Sequence, residues 1–124
     1  MFSHVMLGAN DIEASKKFYD ATLGALGYKA GTVDPKGRVV YATGTGIFIL
    51  TKPINGAPAS GANGGTVGFA VKSPAEADAW HAAGVAAGGT AVEDPPGPRD
   101  GSPYYLAYLL DPAGNKLCAL MVMG

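Results

Sequence analysis

A short strand, a capped helix and a set of turn-punctuated strands occur twice in this chain, on either side of NGAPASGANGG at 55–65, which has almost no large side chains. Neither copy is long enough to bury a helix and a sheet by itself. The two halves, 1–54 and 66–124, therefore read as one domain of 124 residues with a shared core. In the first half, SHVML at 3–7 sets His4 and Met6 on one face and Val5 and Leu7 on the other, the alternation of a half-buried strand. Asn10 or Asp11 is placed to cap a helix over 11–26, with Glu13 in its first turn. Gly27 is placed to stop it. Strands are predicted at 28–33, 38–43 and 47–51, separated by Asp34-Pro35-Lys36-Gly37 and Gly44-Thr45-Gly46.

The second half repeats this order. TVGFAV at 66–71 alternates Val67, Phe69 and Val71 with Thr66, Gly68 and Ala70. Ser73, Pro74 and Glu76 open a helix over 74–87, carrying Ala77, Trp80, Gly84 and Ala87 on its apolar stripe. Strands follow at 90–93, 104–110 and 116–122, with an irregular loop at 94–102 and a DPAGN turn at 111–115. Short turns between strands demand antiparallel pairing, so the class is α+β rather than parallel α/β. The 55–65 stretch reads as a flexible connection, with a mobile lid or the hinge of a domain swap as its functional alternatives.

Composition removes several functions. Nine basic against ten acidic residues give a net charge of −1, without the positive footprint of a nucleic-acid binder. No basic run suits a membrane surface, and no apolar stretch is long enough to span a bilayer. The first residues lack a basic segment followed by an apolar core, so a cytoplasmic location is expected. One cysteine excludes an internal disulfide and any multi-cysteine metal site.

Three segments carry a resemblance: SHVMLGANDIEASKKFYDATLGALGY, TVGFAVKSPAEADAWHAAGVAAGG and PPGPRDGSPYYLAYLLDPAGNKLCAL. In order and spacing they resemble the vicinal oxygen chelate superfamily, which includes glyoxalase I, extradiol dioxygenases and the fosfomycin- and bleomycin-resistance proteins. The resemblance implies paired βαβββ modules forming a half-open barrel around a ligand pocket, with helices on the outer face. It also implies a homodimer that completes or borders the site. Metal-dependent members carry a His on the first strand, a His opening the second-half strand and a Glu on the last strand. Here those positions hold His4, Thr66 and Cys118. A hydroxyl, a lone thiol and one imidazole fall short of a stable ligand set, so this metal site reads as degenerate and no cofactor is expected. Glu93 and Asp94 are the nearest acids of the second half but do not match the family's carboxylate.

The remaining candidates are pocket residues. His4 reads as a hydrogen-bonded pocket or core histidine, or else as a general base or a substrate-orienting donor, and Cys118 as a small buried hydrophobe unless a cation lowers its pKa. Tyr105 and Arg99 are expected to act together, because similar members carry P-G-x-R followed by Y-Y. Tyr104, Tyr105 and Tyr108 read as aromatic strand packing or as a pocket wall that stacks a planar ligand, with Tyr105 out of phase with the other two. Tyr41 and Phe48 are candidates for an aromatic wall in the first half. His81 lies beside the apolar stripe of the second helix and reads as an edge residue. The expected function is binding of a small molecule in a concave pocket without a catalytic metal. The alternatives are a metal-dependent lyase or dioxygenase and a non-catalytic interaction module.

Overall fold

The computed structural model describes residues 1–124. Strand β1 (His4–Gly8) leads into helix α1 (Ile12–Ala25), followed by β2 (Thr32–Val33), β3 (Val39–Thr43) and β4 (Gly46–Thr51). The second half runs β5 (Val67–Ala70), α2 (Pro74–Ala86), β6 (Thr90–Ala91), β7 (Gly97–Pro98), β8 (Tyr104–Leu110) and β9 (Lys116–Val122). The α+β class and the paired modules are as expected, and the barrel is not closed.

Local chemistry sets the boundaries. The Asp11 carboxylate accepts from Ala14 N at 3.1 Å and caps α1. Ser73 Oγ accepts from Glu76 N at 3.1 Å and caps α2. Gly27 ends the first helix at φ 89°, a left-handed conformation that costs glycine little. The strand expected over 28–33 shrinks to β2, because the segment before it closes the helix. Tyr28 N donates to Leu23 O at 3.0 Å, and Gly31 N donates to Asp20 Oδ1 at 2.9 Å. The strand expected over 90–93 stops at Ala91, short of Glu93, whose φ is 58°. Inside the expected loop at 94–102, Gly97 and Pro98 pair with Leu106 and Tyr105.

The first sheet has the order β1-β4-β3-β2 and the second β5-β9-β8-β6, with β7 also on β8. In each half the opening strand pairs in parallel with the closing strand, and the remaining pairs are antiparallel. The halves do not share a hydrogen-bonded sheet, so β1 and β5 are both free edges. The halves join instead through their helices. A Cβ at Gly84 of α2 would lie 2.3 Å from Leu109 Cδ1 and 3.1 Å from Phe18 Cε1 of α1, so only glycine permits this crossing as it stands. A single core runs through both halves, centred on Phe18, Tyr19, Phe48, Leu50, Trp80 and Leu109. Val67, Phe69 and Val71 face this core, as their alternation predicts.

The DPAGN turn adds a polar joint between the halves. The buried Asp111 carboxylate accepts from Tyr19 Oη of α1 at 2.6 Å and from Asn115 Nδ2 at 2.8 Å. Its other oxygen accepts from Ala113 N and Asn115 N, each at 2.9 Å. Asn115 Nδ2 also donates to Gly8 O at the end of β1, at 3.0 Å. The connecting stretch is tethered as well. Asn10 Nδ2 donates to Ala59 O at 3.1 Å, and Asn10 Oδ1 accepts from Ala59 N at 2.6 Å. No helix is long and apolar enough to cross a membrane.

Candidate functional site

The helices cover one face of each sheet, so strand alternation decides which side chains can meet a ligand on the other. In β8 and β9, Leu109, Leu117 and Ala119 pack inward. Tyr108, Lys116 and Cys118 point the opposite way, and Tyr108 and Cys118 are register partners. Gly68 of β5 is the other neighbour of Cys118. A Cβ there would stand 3.8 Å from the thiol, an ordinary contact distance, so glycine leaves room beside the sulfur.

Two cations flank the Tyr108 ring. Lys116 Nζ lies 4.9 Å from its centroid and Arg99 Cζ lies 6.0 Å from it, within the range where a ring quadrupole attracts positive charge. Lys116 is ion-paired with Glu93, which raises the ammonium pKa through that hydrogen bond. Arg99 has no carboxylate partner. Its guanidinium donates to the carbonyls of Gly97 at 3.0 Å, Pro95 at 3.1 Å and Asp94 at 3.2 Å, fastening its own loop. Two cations therefore stand near the Tyr108 ring, of which one is balanced by a carboxylate. Burial raises the Tyr108 phenol pKa, with further upward pushes from Cys118 and Glu93. Burial is also the main reason the Cys118 thiol is raised; Glu93 adds to this and Lys116 opposes it. The thiol is therefore held protonated rather than activated.

The other expected pocket residues do not gather here. His4 is exposed on the first sheet, with Nδ1 2.8 Å from Ser3 Oγ. It shares the face of Met6 and sits opposite Ile47 in the ladder. Thr66 is exposed just before β5, beside the start of β9. Tyr41 and Phe48 belong to the core face of the first sheet, 3% and 7% exposed. Tyr41 Oη donates to Asp20 Oδ1 at 2.8 Å, and burial drives its pKa far above the ordinary phenol value. Tyr105 is on the helix side of the second sheet and donates to Asp78 Oδ1 of α2 at 2.7 Å. Strand phase separates these aromatics from Cys118: Tyr105 is an odd number of residues from Tyr108, so the two face opposite ways. Tyr105 and Arg99 thus lie on a common β7–β8 ribbon without sharing a face. His81 is partly buried, which lowers its pKa.

Lys116 and Glu93 were not among the expected pocket residues, and Tyr108 entered only with Tyr104 and Tyr105, as strand packing or a pocket wall. Tyr108 and Lys116 were legible in principle, since strand phase places both with Cys118. Glu93 was not, because its direction depends on a single left-handed residue.

The residues at the implied metal site do not fit a metal. No three His, Cys, Asp or Glu side chains of this chain come together in a ligating group. Thr66 supplies only a neutral hydroxyl, and the thiol of Cys118 is held away from the thiolate a metal requires.

Comparison with known proteins places these observations. A family model described as "Glyoxalase/Bleomycin resistance protein/Dioxygenase superfamily" matches residues 1–119. A crystal structure of a glyoxalase/bleomycin resistance protein from Albidiferax ferrireducens T118 is similar over 97% of this chain and 98% of that one, with 58% identity and a TM-score of 0.92. A glyoxalase/bleomycin resistance protein/dioxygenase family enzyme from Burkholderia phytofirmans PsJN shares the fold at 22% identity, covering 98% of both chains with a TM-score of 0.76. A lactoylglutathione lyase from Agrobacterium tumefaciens shares it at 22% identity, over 97% of this chain and 92% of that one, with a TM-score of 0.68. No curated protein matches the chain.

Proposed function

Since this chain belongs to the glyoxalase/bleomycin resistance protein/dioxygenase superfamily, we propose that it is a small-molecule binding protein of that superfamily which works without a catalytic metal. The ligand is a planar aromatic anion lying against Tyr108. The observation that carries this reading is the pair of cations on one ring, Lys116 and Arg99, beside a protonated thiol where metal-dependent members hold a carboxylate. A ring face suits a planar group, and the unbalanced guanidinium charge suits an anionic one.

The opposite wall comes from a second copy of the chain. A homodimer covers the sheet face that carries Tyr108, Lys116 and Cys118, which the helices leave open. A single buried cysteine suits action in a reducing, cytoplasmic setting.

Naphthalene-2-sulfonate is the probe that tests the binding site. Tyr108→Ala is expected to weaken it about 10-fold, or about 1.4 kcal/mol, by calorimetry. Equal affinity for the variant would remove Tyr108 from the site.

The metal-free reading has its own test. Thr66→His combined with Cys118→Glu supplies two imidazoles and a carboxylate together with His4. Zinc, nickel or manganese should then bind at least ~10-fold tighter than to the unaltered protein. Comparable tight binding to the unaltered protein would favour a metal-dependent enzyme instead.

A further inference from the structure

The duplicated architecture permits a point-by-point comparison of the two halves, and it breaks down at one place. Ala9 N donates to Thr51 O at 2.9 Å, and Val71 N donates to Leu120 O at 3.0 Å, so these pairs mark equivalent positions. Gly8 then matches Ala70, and Thr51 matches Leu120. Following the ladders back to the hairpin turns, Gly46 falls on Asn115 and Thr43 falls on Asp111. The local chemistry of the turns agrees. Asp111 Oδ1 accepts from Ala113 N and Asn115 N, each at 2.9 Å. Thr43 Oγ1 accepts from Thr45 N and Gly46 N, each at 3.2 Å.

The contact between halves does not agree. At one end Asn115 reaches across to Gly8 O. At the other end Gly46 has no side chain with which to reach Ala70. A cavity of about 230 Å³ lies there, with Ala70 in its wall. Val5, Leu23, Phe48, Val67 and Phe69 line it, and the half-exposed Tyr28 contributes as well. Tyr41, Thr43 and Thr45 are its other hydroxyl-bearing residues, and no charged side chain contributes to the lining. Phe48 and Phe69 meet edge-to-face within its wall, with centroids 5.6 Å apart and an interplanar angle of 77°.

We infer that this unbridged end of the duplicated fold is a second binding site, separate from the Tyr108 face, for a neutral aromatic molecule of one or two rings. Size sets the upper limit: an apolar cavity of about 150 Å³ already accepts benzene, and this one has room for a fused bicycle. The uncharged lining sets the polarity, because an ionised group would lose its hydration with no countercharge to replace it. The crossed phenyl rings offer edges and faces to an aromatic guest.

Indole is the probe, with indole-3-carboxylate as its charged counterpart. Gly46→Asn restores the side chain that the other turn has. A Cβ at Gly46 meets nothing within 4 Å, so the backbone accepts the change. Calorimetry should find indole bound to the unaltered protein and about 10-fold weaker binding to Gly46→Asn, and the carboxylate, which suits the Tyr108 face, should show no nuclear Overhauser contacts to the Phe48 or Phe69 ring. Tyr108→Ala should leave indole affinity unchanged, so failure of the sulfonate site and failure of this one are distinguishable. In the unaltered protein, nuclear Overhauser contacts from indole to the Phe48 and Phe69 rings place the probe without any variant. The inference is overturned if indole does not bind, if it contacts other residues, or if Gly46→Asn binds it equally well. It is also overturned if the carboxylate contacts the Phe48 and Phe69 rings as indole does, or if indole converts a dimer to monomers, since the cavity would then be the seat of a second copy.

Discussion

Asp111→Ala should lower stability by about 3 kcal/mol or more, because it strands several buried donors at once. The carboxylate receives Tyr19 Oη, Asn115 Nδ2 and two backbone N–H groups, and Asp111 is 4% exposed. Alanine fills none of these roles, and water has little access to replace them. Asn115 would lose its orientation toward Gly8 O, so damage in the second half reaches the first. Two milder variants grade the effect. Asp111→Asn keeps an oxygen for the backbone N–H groups but turns an amide N–H₂ toward donors. Tyr19→Phe removes one hydrogen bond and should cost only about 1 kcal/mol. Urea denaturation should rank them Asp111→Ala, Asp111→Asn, Tyr19→Phe in decreasing severity. A loss below about 1 kcal/mol for Asp111→Ala, the net value of one ordinary hydrogen bond, would mean that the halves are held by helix packing alone.

Trp80→Ala should cost about 3–5 kcal/mol, the range for emptying a large aromatic position in a core. Trp80 is fully buried in α2, with its ring 6.5 Å from that of Phe69. Its neighbourhood is fixed by the close helix crossing at Gly84, so collapse into the void is restricted. Trp80→Phe should be far milder. The indole Nε1 has no hydrogen-bond partner in the chain, so phenylalanine removes an unsatisfied donor while keeping most of the ring. Both variants lack the chain's only tryptophan, so unfolding is followed by circular dichroism rather than fluorescence. Equal destabilisation by Phe and Ala would mean that Nε1 makes a bond through water.

Much of the fold was legible because its signals are local. Asp11 and Ser73 cap where short polar side chains before apolar stripes should cap, and Gly27 stops α1 where a left-handed residue was needed. The alternation of Val67, Phe69 and Val71 gave the buried face of β5. What was not legible depends on how the halves meet. Nothing in the composition of β1 or β5 tells whether their edges pair with each other or with another chain. The DPAGN turn reads as an ordinary reversal, yet its Asp and Asn join two modules through Tyr19 and Gly8. The site divides along the same line. Strand phase placed Cys118 beside Gly68, and Tyr41 and Phe48, expected in an aromatic wall, are nearly buried on the core side and both line the cavity of about 230 Å³. A tyrosine's phenol suits a pocket or a buried carboxylate equally well, and only the position of Asp20 decides for Tyr41.

Glu93 stands in a left-handed backbone conformation that glycine would adopt freely and a glutamate resists, at a cost of roughly 1–3 kcal/mol. Stability and surface chemistry therefore make opposite demands on one position. A sequence drifting under selection for stability alone would exchange this residue for glycine and release the Lys116 ammonium from its partner. Retaining glutamate keeps that charge moored over an aromatic ring. In a set of divergent sequences, position 93 would thus separate chains selected for the surface from chains selected only to fold.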